Sequence, residues 1–172
     1  ANDEQNPYTF GVPADPEYVA AHGTEAAPYT LHDIRKYTLW GNLMAGGFGV
    51  EYYFGWTTPG NDLNNEDFRS RDHSWDYCRI ALDFFREHDI PFTRMRNHNA
   101  LIGNPGNTNE RYCFAEPGEV YLVYLPDGGT SELDLSSTKS RFQVRWFNPR
   151  QGGRLQKGSA LRCAGGGMQA VI

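Results

Sequence analysis

The acidic residue that stands out from its surroundings is Glu51, the one charge in the apolar and aromatic run 48–56 (FGVEYYFGW). A carboxylate in the middle of an apolar strand costs several kcal/mol when it has no partner. Glu51 is therefore expected either to line a polar cavity mouth or to pair with a cation such as Arg35. Successive strand residues point to opposite faces, so at most one of Tyr52 and Tyr53 can share a site with it. Trp56, at the end of the run, offers a flat face on which a sugar could stack, or a ring to pack.

Downstream, 62–66 (DLNNE) places oxygen ligands at alternate positions, Asp62, Asn64 and Glu66, as a calcium loop does. The loop lacks the Gly required at the sixth position, and His73 stands where the bidentate Glu belongs. Asn65 reads better as a helix N-cap, with Glu66 and Asp67 favoured by the helix dipole. The histidines (His22, His32, His73, His88, His98) show no HExxH spacing. Cys78, Cys113 and Cys163 form no CxxC or His-linked set, and three cysteines permit one internal disulfide at most. No Ser/His/Asp, Cys/His or metalloprotease pattern is present. Neither a metal site nor a cofactor is expected, and nothing supports peptide-bond hydrolysis.

The chain that must position these groups has 172 residues, 16 basic against 21 acidic side chains and a net charge of -5. No stretch concentrates Lys and Arg densely enough to follow a phosphate backbone, which argues against a nucleic-acid partner. No apolar run reaches the roughly 18 residues of a membrane span, and no leader precedes residue 1, so a membrane is not expected either. Aromatic residues at 14% and 19 glycines suit a carbohydrate-binding surface or a Tyr-rich β-domain with many turns.

Residues 1–30, with Pro7, Pro13, Pro16 and Pro28, lack periodicity and read as a long loop. Thr30 and Asp33 then form a capping-box pattern, and Leu31, Ile34, Tyr37, Thr38 and Met44 follow at helical spacing, predicting a helix over 31–45. Gly46 and Gly47 end it, and 48–56 reads as a buried strand of the parallel kind. A second helix is predicted over 66–88, with Trp75, Cys78, Leu82 and Phe85 on one stripe and Ile80 with Phe84 beside it. Beyond Arg111 the period becomes that of strands, at 111–115, 120–125, 131–135 and 141–148. Between them lie the turn sequences EPG, PDGG and NPRQGG.

Several long segments resemble a family. Residues 34–47 (IRKYTLWGNLMAGG) and 49–55 (GVEYYFG) are similar to the last helix-strand unit of bacterial barrel proteins labelled collagenase-like "putative glycoside hydrolases". In that family a (β/α)8 barrel precedes a β-module called the "putative collagen-binding domain". The segments DLN at 62–64, EDFRSRD at 66–72, WDY at 75–77, GEVY at 118–121, YLPDGG at 124–129 and VRWFNPR at 144–150 continue the resemblance.

The resemblance implies an α/β plus all-β architecture. Residues 1–100 would be the C-terminal, incomplete end of a TIM-barrel catalytic domain, and 101–172 a small antiparallel β-sandwich lacking the strand that follows a turn like Gly165–Gly167. Barrel sites lie at the C-terminal ends of the strands, and glycoside hydrolysis uses two carboxyl groups. On that basis Asp3-Glu4-Gln5 falls at the end of the seventh strand. The catalytic residues expected are Glu4 and Glu51, and the substrate-binding ones Asp3, Tyr53, Trp56, Asp62 and Asn64. The implied partners are a carbohydrate substrate and a missing upstream barrel segment of the same protein, in a secreted or periplasmic setting. The alternative is a non-catalytic carbohydrate- or protein-binding or structural module. Alternation would bury about half of Tyr121, Phe142, Trp146 and Phe147, favouring a bracing role for the β-module.

Overall fold

A computed structural model describes residues 11–23, 27–54, 68–158 and 160–171. Asp3, Glu4, Trp56, Asp62, Asn64 and the Asn65 cap lie outside the described residues. Helices come first and small antiparallel sheets follow.

α1 (Pro16–His22) arises inside the stretch predicted to be a loop. Seven residues give only about two turns, too few for a periodic signal. Proline at the first helical position gives up an N–H that would have no intrahelical partner there. Asp15 does not cap α1 with its side chain. Its Oδ2 instead accepts a hydrogen bond from the His73 N–H at 2.9 Å, fastening the N-terminal segment to the second helical region.

The helix predicted over 31–45 forms in three consecutive pieces: α2 (Leu31–Asp33), a π-helical segment (Ile34–Trp40) and α3 (Gly41–Met44). The capping box is present. Asp33 N–H donates to Thr30 Oγ1 at 3.3 Å, and Asp33 Oδ2 accepts from Thr30 N–H at 2.8 Å. These bonds from Thr30 hold the Asp33 carboxyl below its ordinary range. The π-helical turns rotate the side chains away from a 3.6-residue period, so packing decides which face turns inward: Leu39, Trp40 and Met44 are buried. Gly46, at φ 98°, ends the run as predicted.

The buried parallel strand predicted over 48–56 is not formed in its described part. Residues 48–54 belong to no ladder, Phe48 is 80% exposed, and Glu51 is exposed. An apolar run becomes a buried strand only when neighbours flank it. Here residues 48–54 pair with none of the described strands, and the segment makes single bonds such as Val12 N–H to the Tyr53 carbonyl at 2.6 Å.

After a 3-10 turn (Phe68–Arg71) comes α4 (Asp72–Glu87). Its buried face is rotated from the predicted stripe: Ile80, Ala81 and Phe84 are buried, while Leu82 is exposed. The contact that decides this is Phe84 against Trp40 and Phe147, with ring centroids 5.5 and 4.5 Å apart.

The strands are β1 (Arg96–Asn97), β2 (Tyr112–Glu116), β3 (Val120–Tyr124), β4 (Ser131–Asp134), β5 (Arg141–Gln143), β6 (Arg162–Ala164) and β7 (Met168–Val171). Among the described residues they form three antiparallel sheets, β1-β2-β3, β4-β7 and β5-β6. A mixed helical and antiparallel architecture therefore stands, whereas no barrel and no closed sandwich appears among the described residues. The strand predicted over 141–148 is shorter, giving way to a lone bridge between Trp146 and Gln156. The strand expected to be missing after Gly165–Gly167 is present as β7, paired with β4 from Ser131 opposite Val171 to Asp134 opposite Met168.

Two cores hold the described residues together. The larger joins Leu39, Trp40 and Met44 with Ile80, Ala81 and Phe84 and with Met95, Tyr112 and Phe114. The smaller joins Ile102, Cys113, Ala115, Leu133 and Leu135. The boundary expected at residue 100 falls inside a 3-10 turn (Asn99–Ile102), and the larger core draws on both sides of it. Outside the cores, Asp127 of the β3–β4 turn accepts from Lys36 Nζ at 2.6 Å and from Tyr37 Oη at 2.8 Å.

Candidate binding site

A cleft of about 300 Å³ opens where the helical run meets the edge of the β1-β2-β3 sheet. From the helical side it takes Tyr37, Thr38, Gly41 and Asn42. The other wall comes from Asn97 on β1, from Asn99, Asn107 and Asn109 in the connection to β2, and from Tyr112 on β2. No described lining residue carries a charge.

The sequence builds this wall through a network of side-chain amides. Asn99 is buried. Its Oδ1 accepts the Cys113 N–H at 2.7 Å and its Nδ2 donates to Asn107 Oδ1 at 3.0 Å. Asn104, also buried, donates from Nδ2 to the carbonyls of Thr108 at 2.8 Å and Arg111 at 2.7 Å, and its Oδ1 accepts the Thr108 N–H at 2.9 Å. An amide that donates and accepts at once replaces the backbone ladder an irregular segment lacks, so residues 103–111, beyond the 3-10 turn, are held without regular structure. Asn107 takes φ 54°, a left-handed conformation that Asn tolerates well.

With the frame held, the outward amides keep capacity. Asn97 Oδ1 accepts the Asn99 N–H at 3.1 Å, and Asn109 Oδ1 accepts from Tyr112 Oη at 2.9 Å. Both residues are exposed, and the Nδ2 donors of each have no partner among the described residues. Tyr112 is stacked on Tyr124 at 5.9 Å, and burial raises its pKa. Its hydroxyl comes so near the helix that a Cβ at Gly41 would lie 2.9 Å from it, which is why that helical position is glycine. Tyr37 also has its pKa raised, first by its hydrogen bond to Asp127. The cleft thus offers amide donors and acceptors beside the half-buried Tyr37 ring, with Tyr112 buried behind them and no carboxylate, histidine or lysine among the described lining residues.

A second cleft of about 210 Å³ lies between α4 and the 151–153 turn, lined by Arg79, Asp83, Glu87 and His88. Asp83 is engaged there by Arg79 at 3.7 Å.

Of the residues predicted to do chemistry, the two that are described, Glu51 and Tyr53, line neither cleft. Glu51 is exposed and forms no ion pair among the described residues, so the expected pairing with Arg35 is absent. Tyr53 is half-buried and joined to Val12 through its carbonyl. Its neighbour Tyr52 turns to α4, accepting from the Cys78 thiol at 3.6 Å and packing on Trp75. All three cysteines are free, Cys113 fully buried with its thiol pushed up to about 12 by burial. Tyr121, Phe142, Trp146 and Phe147 are all partly buried, and three of them pack in ring pairs: Tyr121 against Phe142, and Phe147 against Phe84.

The amide wall itself went unpredicted. Its signal was available in the density of asparagines at 97, 99, 104, 107 and 109, a composition that reads as turn-rich loop unless the turns are known to close on one another.

Residues 98–169 match the family model described as "Putative collagen-binding domain of a collagenase". The match covers the amide wall from Asn99 onward and all strands from β2 to β6, and it leaves out residues 1–97, which carry the barrel-like segments. No curated protein and no solved structure matches the chain.

Proposed function

We propose that this chain is a non-catalytic binding module that holds an extended, proline-rich polypeptide of the collagen type in the cleft between the helical run and the 97–112 wall. The observation that carries the proposal is the chemistry of that cleft: exposed amides of Asn97 and Asn109, the half-buried ring of Tyr37, and no charge among the described lining residues. A polyproline II strand makes no internal hydrogen bonds, so its peptide groups are open to side-chain amides that both donate and accept. Its pyrrolidine rings pack against aromatic faces, as in other grooves that bind such strands. The matched description names collagen, in agreement with this chemistry. A cleft of this size is at the small end for ligand sites, which suits one strand or ridge of a polymer rather than its whole cross-section. Such a ligand is extracellular, which supports a secreted setting.

The test is binding of immobilised triple-helical and single-stranded Gly-Pro-Pro peptides, with cellulose, xylan and chitin in parallel. An Asn97→Ala/Asn109→Ala variant should weaken peptide binding about tenfold, the loss of one to two hydrogen bonds. Peptide binding unaffected by the double change, or binding of a glycan in its place, would refute the proposal.

A second reading concerns the longer protein implied by the barrel-like segments. There Glu51, exposed and without an ion-pair partner among the described residues, would serve with Glu4 in hydrolysis of a glycosidic bond, near Asp3, Tyr53, Trp56, Asp62 and Asn64. Glu4→Gln and Glu51→Gln in that protein should each lower glycoside hydrolysis by orders of magnitude. Unchanged hydrolysis would exclude the role.

A further inference from the structure

Charge is divided unevenly along this chain. All 21 acidic side chains lie before residue 135, whereas seven of the 16 basic ones fall between Lys139 and Arg162. Residues 135–172 therefore carry a net charge of +7 in a protein whose net charge is -5. No two of the seven are adjacent in sequence, so they make no basic run, and only folding gathers them.

The β5-β6 ribbon gathers them by alternation. Arg141 stands opposite Ala164, Phe142 opposite Cys163 and Gln143 opposite Arg162. Directly opposed side chains share a face of the sheet, and successive ones alternate. Phe142 and Cys163 go to the inner face, where they pack on the smaller core, with Phe142 edge-on to Tyr121 at 5.4 Å. Arg141, Gln143 and Arg162 go to the outer face and are exposed. The same alternation continues past the ladder, with Val144 half-buried, Arg145 exposed and Trp146 half-buried. Arg145 and the exposed Lys157 flank the Trp146–Gln156 bridge on the same side of it. Outward residues follow one another about every 7 Å along a strand, so Arg141, Arg145, Lys157 and Arg162 line one short ribbon.

Nothing else in the described chain neutralises these charges. The ion pairs among the described residues take their cations from Lys36, His73, Arg79 and Arg94, and none from residues beyond 135. Arg145 is held by neutral groups: its Nη2 donates to Gln143 Oε1 and its Nη1 to the Val144 carbonyl, both at 3.0 Å. Those bonds lay the guanidinium along the strand. Like charges on paired strands repel, so a ligand that brings several negative charges at once stabilises the ribbon.

We infer that the outer face of the β5-β6 ribbon is a binding surface for an acidic polysaccharide, one that carries carboxylate or sulfate groups along its length. The inference goes beyond the peptide cleft and does not rest on it, since no ribbon residue lines that cleft. Charge complementarity selects a polyanion. Three of the four cations are guanidinium forks, which meet the paired oxygens of carboxylate and sulfate. The side chain set between them, Gln143, both donates and accepts and so suits sugar hydroxyls. A single-stranded nucleic acid would call for exposed aromatic faces among the cations, whereas Phe142 and Trp146 occupy the half-buried positions of the ribbon.

The experiment measures binding of heparin, which is sulfated, polygalacturonate, which is carboxylated, and neutral dextran to the whole chain by calorimetry. It compares the unaltered protein with Arg141→Gln/Arg162→Gln and with Arg79→Gln/Arg86→Gln, which removes the same charge from exposed positions on α4. At least one polyanion is expected to bind, dextran is not, and affinity should fall steeply with added salt. The ribbon variant should bind about tenfold more weakly with its thermal midpoint unchanged, and the α4 variant as tightly as the unaltered protein. The polyanion bound more tightly identifies the group that is read. Failure of both polyanions to bind, no loss in the ribbon variant, or equal losses in the two variants overturns the inference. An equal loss on Asn97→Ala/Asn109→Ala would put the glycan in the cleft and overturn it as well. Tighter binding of an oligouridylate or of phosphatidylserine vesicles than of either polysaccharide overturns the polysaccharide assignment. So does self-association of the chain that the ribbon variant abolishes, because the acidic part of a second copy would then be the occupant. Should the ribbon variant lose its fold, Arg145→Gln, outside the ladder, decides by the same comparison.

Discussion

Phe84 on α4 and Phe147 in the β-region meet with ring centroids 4.5 Å apart and planes inclined at 45°. Only Phe147 of the pair falls inside the matched segment 98–169, so this contact tests whether the helices and the β-region unfold as one unit. Phe→Leu changes keep the sites apolar and remove the rings. Phe84 is 6% exposed and also touches Trp40, so Phe84→Leu should cost about 1.5 kcal/mol. Phe147 is half-buried, and Phe147→Leu should cost about 1 kcal/mol. The ring pair itself is worth about 0.5–1.5 kcal/mol beyond burial. The double variant should therefore lose about 1 kcal/mol less than the sum of the single losses. Urea unfolding followed by far-ultraviolet dichroism and by tryptophan fluorescence measures all four corners of the cycle. One coincident transition and that coupling are expected. Additivity to within about 0.3–0.5 kcal/mol, or separate transitions for the two probes, would show that the shared core is not an energetic unit.

Further outcomes follow from other contacts. Thr30→Ala removes the capping box and should cost about 1 kcal/mol at neutral pH, read from the unfolding midpoint. Because the folded pKa of Asp33 is lowered from 3.8, the stability that the cap supplies is fully present above that value. It is lost as pH falls through the lowered folded pKa, so the Thr30→Ala deficit should shrink in acid; a deficit independent of pH would contradict the pairing. A Cβ at Gly165 would fall into the Thr138 backbone carbonyl, so Gly165→Ala should destabilise the β6–β7 turn by about 1–3 kcal/mol. Iodoacetamide at pH 8 should leave Cys113 unlabelled in the native protein and modify it on unfolding, since the thiol is buried and pushed up to about 12. Mass spectrometry that found native labelling there would argue against the packing of the smaller core.

Local signals carried much of the secondary structure. Thr30 and Asp33 mark a helix start because both halves of a capping box lie within four residues, and the structure closes them. The sequences EPG and PDGG fix their turns through residues that suit the backbone required, so β2, β3 and β4 fall near their predicted places. The failures are where a distant partner decides. The run 48–54 has the composition of a buried strand, but ladder pairing belongs to two segments at once. The inward face of α4 turned on Trp40 and Phe147, which no helical period contains.

For function, the sequence by itself determined what the chain lacks in familiar chemistry: no motif for metal or proteolysis, no basic track, and acids whose placement could be judged only against neighbours. It also carried the segments from Gly118 to Gly153 that resemble the β-module, and the family match falls on them. Tertiary structure alone decided that Asn97, Asn99, Asn107 and Asn109 form one wall, that Tyr112 and Gly41 bring that wall against the helical run, and that Arg35 is buried without a counter-charge among the described residues. The reason is physical: residue type fixes what a group can donate, accept or ionise, whereas burial and partnership are properties of pairs that only the folded chain brings together.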